Sequence, residues 1–107
     1  MTPPQDRRFE PRSPADVRAV VIAPGVEMPC TIADQSAAGL KLKLNRATTL
    51  PRQVVVIDLA RAMAIEADVA WQKGLEVGLK QRGQTLLRGL VPSRLAAARD
   101  LFRRLGG

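Results

Sequence analysis

Between Val17 and Lys80 the apolar residues recur mostly at every second position, the period of a half-buried strand rather than of a helix. Val17, Ala19 and Val21 share one face of a first strand, and Pro24-Gly25 supplies a turn. A second strand over 28–34 groups Met28, Cys30 and Ile32. From Gly39 to Leu44 the alternation is cleanest, with Leu40, Leu42 and Leu44 inward and Lys41 and Lys43 toward water. Val54 to Leu59 is instead a continuous apolar run of strand length, which predicts a strand covered on both faces. Ile65 to Trp71 alternates again, placing Ile65, Ala67, Val69 and Trp71 opposite Glu66 and Asp68, so parity assigns Trp71 to the core. Gln72-Lys73-Gly74 connects tightly to a sixth strand, Leu75 to Lys80, with Leu75, Val77 and Leu79 inward. Six short strands with short links predict an antiparallel barrel, whose closure removes exposed edges.

Both ends of the chain break this pattern. Pro3, Pro4, Pro11 and Pro14 fall in a charged stretch over 1–14 that reads as an extended, mobile arm, because proline disfavours helix at the residue before it. At the other end Ser93 can cap a helix beginning at Arg94, and Gly106 can end it. Leu95, Ala98, Phe102 and Leu105 form one apolar stripe, with Arg99 and Arg103 on the other side. The predicted architecture is therefore mainly β: an arm (1–14), a six-stranded antiparallel barrel (15–91) and a C-terminal helix (92–107) whose stripe covers an open part of the barrel.

Composition narrows the function. A hydrophobic fraction of 46% supports a core, and aromatics at 3% mean that Val, Leu, Ile and Ala must build it. The net charge of +7, carried mostly by arginine, favours an anionic partner, since the guanidinium fork binds phosphates and base edges with two hydrogen bonds. The single cysteine, Cys30, has inward parity and is assigned to the core, and no histidine is present. Without histidine the usual general base and the commonest neutral metal ligand are missing. No glycine-rich loop precedes a lysine, and Asp58, Glu66 and Asp68 read as solvated strand residues rather than a metal cluster. The sequence thus predicts no catalytic residue, no metal and no cofactor. Met1 to Asp6 lacks the apolar run of a signal peptide and no stretch reaches membrane-spanning length, so a cytoplasmic, non-inserted protein is expected.

Two short segments remain as candidate chemistry. Arg7-Arg8-Phe9-Glu10-Pro11-Arg12 concentrates three guanidiniums just before the first strand. Asp34-Gln35-Ser36-Ala37-Ala38-Gly39 joins the second strand to the third. Asp34 can accept from paired N–H groups such as a guanine edge, Ser36 can donate to a phosphate oxygen, and Gly39 can adopt positive φ or admit close approach. Each has an ordinary counterpart: a solvated basic tail, and a turn built from common turn residues.

In this order, ahead of a six-strand pattern, the two segments resemble the PilZ domain family. Arg8 and Arg12 fit its Arg-x-x-x-Arg motif, and Asp34, Ser36 and Gly39 fit Asp/Asn-x-Ser-x-x-Gly. Ala67-Asp68-Val69-Ala70-Trp71, then Gly74 and Val77-Gly78-Leu79, look like the family's late strand pair, so the resemblance spans roughly Arg7 to Lys80. Gln81 departs from the aromatic usual at its position.

The resemblance implies a split-barrel type fold that binds the bacterial second messenger cyclic di-GMP on its outer surface, beneath an arm that wraps over the ligand. Arg8 and Arg12 would contact phosphates and guanine O6/N7 edges, Asp34 a guanine Watson–Crick edge, and Ser36 and Gly39 would line the ligand. Arg7, directly before the motif, is a candidate contact to a stacked ligand pair, and Trp71 a secondary candidate for stacking on guanine. Output would pass to a downstream protein partner, with no DNA or RNA partner expected. Two other readings stay open: a PilZ-like interaction module without ligand binding, and a small basic barrel that binds nucleic acid, for which aromatic stacking platforms are few.

Overall fold

The alternating segments fold as strands because only that conformation puts their apolar residues on one surface. The computed structural model describes residues 17–105, in which six antiparallel strands run as β1 Val17–Ala23, β2 Val26–Gln35, β3 Gly39–Leu44, β4 Gln53–Asp58, β5 Met63–Lys73 and β6 Glu76–Leu86. They close into a barrel in the order β1-β2-β3-β6-β5-β4, with β4 returning to pair with β1. A single 3-10 turn, Ser93–Leu95, leads into a helix, α1, Ala96–Arg104. The β5–β6 hairpin turns on Gly74-Leu75, with Lys73 opposite Glu76 and Gly74 at a φ of 60°. Leu75 is thus an exposed turn residue, not the inward strand residue that alternation predicts.

The barrel interior takes at least one fully buried branched side chain from every strand: Val21, Ile32, Leu42, Val56, Ile65 and Val77. Each such burial contributes about 1.5–3 kcal/mol. A second apolar layer lies outside the barrel, where Val20 of β1 and Ile57 of β4 meet Leu87 and the helical Leu95, Ala98, Leu101 and Phe102. This layer accounts for the unbroken run at Val54 to Leu59, whose strand is covered on both faces as the sequence predicts. The barrel being closed, the helix covers its outer wall rather than an opening. Leu101 is buried in the stripe, while Leu105, at the C-cap, is exposed. Ser93 makes no side-chain cap; it opens the 3-10 turn behind Pro92.

Ion pairs tie the C-terminal segment to the barrel. Arg94 grips Glu66 of β5 with two hydrogen bonds of 3.0 and 3.1 Å, and Arg104 reaches Glu27 of β2 at 3.1 Å. Glu66 is therefore a paired residue rather than a solvated one. The Arg94 hydrogen bonds hold its carboxyl below the ordinary glutamate value, helped by the charges of Arg94 and Arg82 and opposed by partial burial. A lowered folded-state value stabilises the fold above the ordinary glutamate range, and that contribution is lost as pH falls through the lowered value. Glu66→Gln is accordingly expected to leave less acid sensitivity in a denaturation series taken downward from neutral pH.

Asp58 also departs from the solvated reading. It is 1% exposed, and its Oδ1 accepts from the N–H groups of Ala60 and Arg61, both at 3.0 Å, while Oδ2 pairs with the Arg61 guanidinium at 2.9 Å. A buried carboxylate is stable when its lone pairs are met in this way, and here it organises the turn from β4 to β5.

Candidate functional site

Strict alternation along β2, with Met28, Cys30 and Ile32 inside, would send Asp34 into the core. A register shift prevents this. Ile32 pairs with Leu42 but Asp34 with Lys41, so Ala33 is an extra residue on β2. The same event occurs on β5, where Val69 pairs with Leu79 but Trp71 with Gly78, leaving Ala70 extra. One inserted residue reverses the facing of the rest of its strand, which is how bulges re-aim side chains. Trp71 is consequently 46% exposed on the outer wall, correcting the core assignment that parity gives.

The two shifts bring four residues onto one rung across four strands: Asp34 on β2, Lys41 on β3, Gly78 on β6 and Trp71 on β5. With strands about 4.8 Å apart, the rung runs about 14 Å along the wall from the Asp34 backbone to the Trp71 backbone. All four line an open cleft of about 290 Å³, together with Gln35, Ser36 and Gly39 from the β2–β3 turn and Ala70 beside the indole. Trp71, distant in sequence from Asp34, Ser36 and Gly39, therefore shares one concave surface with them. Arg7, Arg8 and Arg12 lie outside the described residues.

The turn is shaped by its own backbone. The Ser36 N–H donates to the Gly39 carbonyl at 2.9 Å, and Ser36 Oγ accepts from the Ala38 N–H at 3.3 Å. The Gln81 N–H donates to the Ala38 carbonyl at 3.0 Å, fastening the turn to β6. That anchor is a main-chain contact, so it does not depend on which side chain stands at position 81. Gly39 serves close approach rather than positive φ: a Cβ there would overlap the Leu79 carbonyl oxygen on β6.

Gly78 has the matching role under the tryptophan. A Cβ at 78 would overlap the Trp71 indole, so the glycine is the notch in which the ring lies against the sheet. Gly78→Ala is expected to lift the ring at a stability cost of about 1 kcal/mol or less, since the obstructing atoms belong to a side chain that can turn away. Trp71 is the chain's single tryptophan, so a shift in its fluorescence emission checks this directly.

Charge in the cleft is divided. Asp34 supplies an anion at one end, and Lys41 a cation beside it whose ammonium lies 3.7 Å from Glu76. Sequence reasoning passed over Lys41 and Gly78. Lys41 reads, like Lys43, as a solvent-facing strand lysine, and only the pairing of β3 with both β2 and β6 reveals its neighbours. Among the described residues no group of His, Cys, Asp and Glu could hold a metal ion, and no helix is long and apolar enough to cross a membrane.

The cleft offers a carboxylate acceptor, a hydroxyl, a cation and an exposed aromatic face, the complement of a ligand with base edges, base faces and phosphates. A family model described as the PilZ domain matches residues 6–91 of the chain. No curated protein and no solved structure matches it.

Proposed function

The chain belongs to the PilZ domain family, whose members are generally cyclic di-GMP-binding modules, and we propose that it is a non-catalytic receptor for this dinucleotide. The observation that carries this reading is the meeting of Asp34 and Trp71, re-aimed by two independent register shifts, with Ser36 and Gly39 of the β2–β3 turn around one cleft. Asp34 accepts hydrogen bonds from a guanine Watson–Crick edge. Ser36 and Gly39 lie along the ligand, and the Trp71 face stacks on a base, an interaction worth about 1–3 kcal/mol.

Arg8 and Arg12 contribute from the N-terminal segment, pairing with phosphates and guanine O6/N7 edges, and Arg7 contacts a second, stacked ligand molecule. Closing that segment over the cleft changes the surface offered to a downstream protein, which converts ligand concentration into output. Such a receptor works in the bacterial cytoplasm, where this second messenger is made.

Calorimetric titration of cyclic di-GMP into the purified chain, with GTP as control, tests the proposal. Saturable binding of cyclic di-GMP but not of GTP supports it, and a stoichiometry of two ligands per chain supports the role of Arg7. Absence of heat, with an unchanged NMR spectrum, would replace it with a PilZ-type interaction module.

A further inference from the structure

We infer that Lys41 is a ligand-binding cation built into the barrel wall, which holds a phosphate of the dinucleotide and which Glu76 holds in reserve when the cleft is empty. This inference rests on the receptor reading above and assigns a further residue to the same cleft.

The rung geometry carries it. Lys41 stands between Asp34 on one side and the Gly78 notch that seats Trp71 on the other. In a cyclic dinucleotide the phosphates lie between the two bases. A ligand with one guanine edge at Asp34 and the other guanine on the indole therefore sets a phosphate over the strand between them. That strand is β3, and its residue on this rung is Lys41. Leu40 and Leu42 on either side are buried in the core, so Lys41 is held on the outer face by β3 itself.

The present partner of Lys41 is weak. Its ammonium lies 3.7 Å from Glu76, both side chains are about half exposed, and no hydrogen bond joins them. Exposed pairs of this kind contribute little, whereas an ammonium–phosphate contact is charge-assisted on both sides. The ligand can thus take Lys41 from Glu76 at small cost, and Glu76 competes with the phosphate for it.

The test measures cyclic di-GMP affinity by calorimetry at low and moderate salt for the unmodified chain and for Lys41→Met, Lys41→Arg and Glu76→Gln. Lys41→Met should bind on the order of tenfold more weakly and lose part of the salt dependence. Lys41→Arg should restore most of both. Glu76→Gln should bind a few-fold more tightly, a gain that damage to the fold could not produce. Binding by Lys41→Met equal to that of the unmodified chain at both salt levels, with no gain from Glu76→Gln, overturns the role of Lys41 while leaving the receptor reading in place. Absence of binding by the unmodified chain overturns the receptor reading itself, and the role of Lys41 with it.

Discussion

Replacing Arg12 by alanine is expected to weaken cyclic di-GMP binding on the order of a hundredfold while leaving the barrel folded. A guanidinium that grips guanine O6/N7 with two hydrogen bonds supplies about 1–3 kcal/mol, and a phosphate contact from the same fork adds to it. Lysine is a poor replacement, because a point charge cannot reproduce the fork. The fold should be indifferent, because every strand of the barrel already buries a branched side chain of its own in a closed ladder. Thermal unfolding of the variant should match that of the parent within about 0.5 kcal/mol, the ordinary range for surface changes. Arg8→Ala should behave alike. A variant that lost its fold together with its affinity would contradict the proposed division of roles between these arginines and the barrel.

The second large effect falls on stability. Gly39→Ala places a methyl group against the Leu79 carbonyl, a backbone atom near the end of the β3–β6 pairing that cannot swing aside as a side chain can. Relief requires the strands to part at the point where Gly39 opposes Lys80. Overpacking of this kind costs about 2–3 kcal/mol. For a domain of this size that lowers Tm on the order of 10 °C. Gly78→Ala serves as the internal comparison, because its obstruction is a movable ring. If both variants melted alike, the difference between backbone and side-chain obstruction would not govern stability here.

Most of the barrel was legible because alternation is a direct imprint of the pleat. Leu40, Leu42 and Leu44 are inward by parity and all buried in the fold, and the run at Val54 to Leu59 announces a strand with two covered faces. Each misassignment has its own physical cause. Parity is conserved only along an uninterrupted ladder, and the extra residue at Ala70 sends Trp71 outward without leaving a trace in the hydrophobic pattern. Leu75 is lost to the hairpin turn, because the connection read at 72–74 lies early and its second true loop residue then looks like strand. Asp58 misleads because a carboxylate is read as solvated unless its donors are seen, and these are main-chain N–H groups two and three residues on. Leu105 shares the helical spacing of the stripe but falls at the C-cap.

The cleft was legible differently. Asp34, Ser36 and Gly39 stand close together in the chain, so a local motif reveals them. Lys41, Gly78 and Trp71 become neighbours only through strand pairing, which single-sequence periodicity does not encode.

Closure of the barrel has one further consequence. Each strand is bonded on both sides, so none can slide by a residue without breaking two ladders and turning its core side chains toward water. The wall beneath the cleft therefore behaves as an anvil: it can be struck by a ligand but not reshaped by one. On the receptor reading proposed above, the message then travels in what lands on that wall, and mutations that soften the barrel would cost abundance long before they altered the signal.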